Sequence, residues 1–87
     1  MSKTIMVIVI GKRMESAAKV QQVLTEYGCY IKTRLGLHEV VDTSCSEVGM
    51  VILELVGDKE KHDELYNTLK KIPCVNVDIQ MMSIENC

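Results

Sequence analysis

The sequence predicts an α+β domain in which a four-stranded antiparallel sheet carries two helices on one face. Three observations predict it. Short apolar runs of strand character alternate with two segments of helical period. The second half of the chain repeats the pattern of the first, Val20, Leu24, Tyr27 and Cys29 recurring as Leu65, Leu69, Ile72 and Cys74 at a constant offset of 45 residues. Two of the four strand segments are apolar on both faces and the other two on one.

The elements follow in order. Ile5 to Ile10 is an unbroken apolar run, short, rich in branched residues and stopped by Gly11, which reads as a buried strand. From Met14 the apolar positions Ala17, Val20, Leu24 and Tyr27 fall at helical spacing, and Gly28 stands where a C′ glycine ends a helix. Ile31, Thr33, Leu35 and Leu37 then alternate with Lys32, Arg34, Gly36 and His38, the period of a strand with one buried face. After a polar stretch around Asp42-Thr43-Ser44, a third strand runs from Met50 to Val56, interrupted by Glu54 and broken at Gly57-Asp58. Asp58 can cap a second helix with His62, Leu65, Leu69 and Ile72 on its inner face. Pro73 ends it, and Val75, Val77, Ile79 and Met81 alternate with polar residues in a fourth strand.

Two β-α-β units in tandem make a split βαβ, or ferredoxin-like (βαββαβ), sandwich. The strands apolar on both faces belong in the centre, which predicts the sheet order 4-1-3-2, and two right-handed crossovers place both helices on the same face. The other face is then open. Alternate residues of the two central strands should line it, with Met6, Ile8, Ile10, Met50, Ile52 and Val56 as candidates. Six such side chains are worth on the order of 10 kcal/mol if a second copy buries them. A homo-oligomer, dimer or tetramer, formed through this outer sheet face is therefore expected.

Residues 1–87 are expected to form one domain, since 87 residues leave no room for a second core. A chain of this size hides only about 60–65% of its unfolded surface, so self-association would add needed stability. A net charge of −2 and 3% aromatic residues, all Tyr, argue against direct nucleic-acid binding, which draws on clustered cations and stacking platforms. The N-terminal apolar run is too short for a signal or a membrane span, so a cytoplasmic protein away from membranes is expected. Cys29, Cys45, Cys74 and Cys87 then read as reduced thiols, and no C-x-x-C pair is present.

The densest polar cluster is Arg34-Leu35-Gly36-Leu37-His38-Glu39, with Asp42 and Cys45 beyond it. Arg34 and His38 share the parity of Lys32, the face predicted to lie away from the core, and Gly36 between them leaves open backbone for a ligand or another chain. The same charges would also protect an edge strand from aggregation. Gly11, Lys12 and Arg13 join the first strand to the first helix, where backbone N–H groups beside two cations can hold a carboxylate or phosphate. A metal-responsive alternative recruits His38, Glu39 and Cys45, with His62 as a further donor, because imidazole and thiolate together suit zinc, nickel or copper. His62 itself reads better as a partly buried, hydrogen-bonded histidine. Cys29 and Cys74 read as thiols at the core margin. No nucleophile, base and orienting group fall together, and no cofactor motif is present, so neither enzyme activity nor a cofactor is expected.

From Ile5 to Met81 the chain resembles the regulators of the iron-only hydrogenase system, small stand-alone ACT-like domains. The residues that carry the resemblance are Ile31-x-x-Arg34-x-Gly36 with His38-Glu39, the strand from Gly49 to Leu55, Gly57-Asp58, and Ile72-Pro73-Cys74-Val75-x-Val77. The resemblance implies an ACT-like fold, similar to the C-terminal domain of the nickel-responsive repressor. It also implies dimers or tetramers with an effector between subunits near Gly11, Lys12 and Arg13, where the charges suit a small anion or amino acid. The spaced metal histidines of that repressor domain are not reproduced. A sensing oligomer is the main reading; a metal-responsive module and a protein-binding scaffold are the alternatives.

Overall fold

A computed structural model describes the backbone of residues 2–11, 13–41 and 44–84 and their side chains, except those of residues 13–14 and 37–48. The elements run β1 (Ser2–Ile10), α1 (Arg13–Glu26), a 3-10 turn (Gly28–Tyr30), β2 (Ile31–Val41), β3 (Ser44–Leu55), α2 (Lys59–Lys70) and β4 (Val75–Ser83). The sheet is antiparallel throughout in the order β2-β3-β1-β4, which is the expected 4-1-3-2 read from the other edge.

Both helices present the faces their periods predict. Val20 and Leu24 of α1, with Leu65 and Leu69 of α2 and Ile72 just beyond it, are buried in one core. The N-terminus of α2 starts at Asp58, whose carbonyl accepts the N–H groups of Lys61 and His62; its carboxylate makes no capping bond. Gly28 departs from expectation. It takes no left-handed conformation, and the chain instead tightens into a 3-10 turn through the Tyr30 N–H bonded to the Tyr27 carbonyl at 2.9 Å. The left-handed glycine is Gly57, at φ 87°.

The outer face is built differently from the expected one. Met6 and Ile8, both 0% exposed, and Ile10 lie in the core opposite Leu53, Val51 and Gly49 of β3. The open face instead carries Ile5, Val7 and Val9 from β1, beside Met50 and Ile52 from β3 as predicted. Every residue of β1 from Ile5 to Ile10 is apolar, so hydrophobic pattern alone assigns neither parity to the helices, and a shift of one residue exchanges the two faces. Lys3 carried the missing signal. It shares the parity of Val7 and sits on the open face, where its ammonium meets Glu54 of β3 at 2.8 Å.

β2 is also corrected. A register shift between Ile31 and Thr33 breaks the alternation, so that Ile31 packs on the core while Thr33 and Leu35 face outward opposite Glu54 and Ile52. Leu35 is 51% exposed. Arg34 and Gly36 move to the helix-side face, opposite Leu53 and Val51. A bulge adds one residue to one strand of a pair and inverts the parity of everything after it, which an alternating pattern does not reveal. Both strands of this pair run past the expected hairpin, with Val41 opposite Ser44; Asp42 lies outside the described residues.

Candidate functional site

The residues chosen from sequence fall along one end and one flank of the sheet. Gly11 follows β1, and its N–H donates to the Cys74 carbonyl at 2.7 Å. Just inside α1, Ser16 is 5% exposed and its hydroxyl donates to the Pro73 carbonyl at 2.7 Å. Two hydrogen bonds thus tie the β1–α1 junction to the turn before β4. Cys74 accepts a left-handed backbone, φ 63°, at this turn. Ser16 escaped the sequence reading, although its place one helical turn before Val20 and two before Leu24 put it on the buried stripe. Lys12 lies outside the described residues, as does the side chain of Arg13, the first residue of α1.

Strand register places the second group. Strand position 38 pairs with Gly49, which pairs with Ile10, so the His38 position stands two strand spacings, about 10 Å, from the end of β1. Arg34 lies four residues back along β2, about 13 Å from that row. The His38 and Glu39 positions therefore share an end of the sheet with Gly11 and Arg13, and Arg34 and Gly36 occupy the exposed flank. A Cβ added at Gly36 meets nothing within 4 Å. Its glycine is not demanded by contacts within the chain.

Of the metal-responsive set, His62 is the one side chain among the described residues, and it lies away from the His38 end of the sheet. His62 is buried beside the other end of the sheet, in a groove with Lys3, Thr4 and Gly57, and its Nε2 donates to the Val56 carbonyl at 2.7 Å. The side chains of His38, Glu39 and Cys45 lie outside the described residues, among which no group of three metal-binding side chains occurs. Cys29 and Cys74 are exposed rather than set at the core margin.

That groove, about 300 Å³ in volume, was not foreseen. Its walls include Lys3, Lys32 and Glu54, and Glu54 also accepts a 3.4 Å hydrogen bond from the Thr33 hydroxyl. The hydrogen bond from Lys3 holds the Glu54 carboxyl below its ordinary range. Desolvation pushes the other way, and the charges of Lys3 and Lys32 reinforce the lowering. A depressed carboxylate contributes stability that is complete above its unfolded value of 4.5 and is lost as pH falls through the lower folded value. Lys3→Met is therefore expected to flatten the acid limb of stability against pH. Urea midpoints measured from neutral pH to about pH 3 check it, and an unchanged acid limb removes the pair as its source.

These features define a class: an α+β, ferredoxin-like fold of the ACT-like kind, two β-α-β units sharing one antiparallel sheet. Among solved structures, the uncharacterized protein TM1266 from Thermotoga maritima is similar with a TM-score of 0.80 at 21% identity, over 95% of this chain and 100% of that one. The ACT domain of the GTP pyrophosphokinase of Chlorobium tepidum is similar at 0.64 and 17%, over 93% and 96%. CPII, a nitrogen regulatory PII-like protein from Thiomonas intermedia K12 bound to ADP, AMP and bicarbonate, is similar at 0.66 and 10%, over 100% and 97%. No family model matches the chain, and no curated protein matches it in sequence. At these identities the likenesses show the fold. No helix among the described residues is long and apolar enough to cross a membrane.

Proposed function

We propose that this chain is a non-enzymatic regulatory module that assembles through its outer sheet face and binds a small anion or amino acid between subunits, at the end of the sheet where β1 runs into α1. The observation that carries the reading is the open face: Val9 and Leu35 are exposed, Val7, Met50 and Ile52 half-buried, all on one side of a sheet whose other side is closed by helices. A patch of this kind on so small a core marks an interaction surface. Its end adjoins the pinned Gly11 junction, the start of α1 and the backbone of the His38-Glu39 positions, while Arg34 and Gly36 lie on the helix-side face of the same edge strand. Effector binding draws further support from the fold, shared with an ACT domain and with a PII-like protein that holds nucleotides and bicarbonate. The Arg34-x-Gly36 motif and the strand after Gly49 support a link to the iron-only hydrogenase system.

A thermal-shift screen of the purified chain against amino acids, nucleotides and small anions tests the reading. Ligand at a hundredfold its Kd adds about 2.7 kcal/mol, which raises the Tm of a domain this size by about 10 °C or more. Gly36→Ala is expected to keep the unliganded Tm, because its Cβ enters open space, and to lose that shift. Absence of a saturable shift from every compound refutes effector binding.

A further inference from the structure

The end of the sheet opposite the β1–α1 junction carries a notch. β3 leaves the sheet at Leu55, across from Thr4, and turns toward α2 through the left-handed Gly57. β1 begins earlier, with Ser2 and Lys3 paired to Ser83 and Met82 of β4 alone. Alternate residues of an antiparallel strand direct both backbone polar groups to the same side, so one of these two offers an N–H and a C=O where β3 is missing. That place is the groove of about 300 Å³, room enough for a small polar molecule. Its charges do not cancel. Lys3 is held by Glu54, and in an adjoining hollow that shares Thr4 and His62 with the groove, Lys59 is held by Asp63 at 3.5 Å. Asp58 lines neither hollow, and Lys32 pairs with no carboxylate among the described residues. His62, 5% exposed, spends its Nε2–H on the Val56 carbonyl, which leaves Nδ1 of the neutral ring as an acceptor. No described side-chain nitrogen is both buried and unpartnered, so Nδ1, with no described partner, opens onto these hollows.

We propose that this groove is a binding site for a small α-hydroxy carboxylate. The Lys32 ammonium holds the carboxylate, and His62 Nδ1 accepts the hydrogen of the neighbouring hydroxyl. The Thr4 hydroxyl and the unpaired backbone of β1 supply the remaining hydrogen bonds. One uncompensated positive charge matches a monoanion better than a phosphate dianion. A hydroxyl suits the donor position better than an ammonium, because Lys3, Lys32 and Lys59 surround the ring and Glu54 is already engaged by Lys3 and Thr33. The site lies within one chain and at the far end of the sheet from Gly11, so it stands independently of an effector bound between subunits.

Titration of the isotope-labelled full chain with glycolate at neutral pH, followed residue by residue by NMR, tests the site. Saturable shifts are expected at the amides of Lys3, Thr4 and Gly57 and at the Nδ1 resonance of His62. Acetate, which keeps the charge and lacks the hydroxyl, is expected to bind about tenfold more weakly, the worth of one hydrogen bond. Glycine and inorganic phosphate are expected to bind more weakly than glycolate as well. Lys32 is exposed, so Lys32→Met leaves the core intact and is expected to weaken glycolate binding by about tenfold or more. Absence of saturable shifts at the groove, equal affinity for acetate and glycolate, tighter binding of glycine or phosphate, or unchanged affinity in Lys32→Met each overturns the proposal. Shifts confined to Gly11 and the His38 end of the sheet overturn it too, and assign glycolate to the site between subunits instead.

Discussion

Ile8→Glu is expected to leave the chain unfolded at 25 °C, whereas Ile52→Glu is expected to leave it folded with a lower mass in solution. Ile8 is 0% exposed and lies between Val51 of β3 and Val77 of β4, both buried. Losing a buried aliphatic side chain costs about 2–5 kcal/mol by itself. A carboxylate at the same place adds several kcal/mol of desolvation, whether it stays charged or takes up a proton. Against a total stability of about 5–15 kcal/mol, and toward the low end of that range for a chain this short, the sum exceeds what the fold can absorb. Ile52 pairs with Val7 and Leu35 on the open face, where a carboxylate reaches water in the isolated subunit. Far-UV circular dichroism separates the two variants, and light scattering reads the mass. An unfolded Ile52→Glu chain places that residue in the core, and unchanged mass refutes assembly through the sheet face.

Gly57→Ala is expected to destabilise by about 2 kcal/mol and to lower Tm by about 10 °C, while Gly36→Ala stays within about 0.5 kcal/mol of the parent. Two effects add at Gly57. Its φ of 87° lies in the left-handed region, which costs a residue with a Cβ about 1–2 kcal/mol. The added Cβ also stands 3.0 Å from Cδ1 of Tyr30, so the ring must yield. It yields with difficulty, because the Tyr30 carbonyl accepts the Val56 N–H at 2.8 Å and ties the 3-10 turn to the end of β3. Thermal melts of the two alanine variants side by side check this. Equal losses at both glycines remove backbone conformation as the cause.

Much of this molecule was legible from residue order. The helical stripes Val20-Leu24 and Leu65-Leu69, the glycine and proline stops, and the repeat between halves specify the elements. Their contrast of doubly and singly apolar strands specifies the sheet order. All of these are local or periodic signals, written in residues near one another in the chain. The candidate site was legible in part: Gly11 and the His38-Glu39 positions do share an end of the sheet, and Gly36 is open. The partner of Gly11, the buried Ser16 and the groove around Glu54 were not, since each depends on a contact between distant segments.

Residue order by itself determined which segments became strands and helices, and in what sequence they lie across the sheet. Tertiary structure alone decided which face of β1 meets the helices and which face of β2 carries Arg34. An all-apolar strand satisfies the hydrophobic effect in either orientation, and a single extra residue in β2 reverses its parity; both choices were settled by the register of hydrogen bonds with β3 and by the need to keep Lys3 and Glu54 together in water.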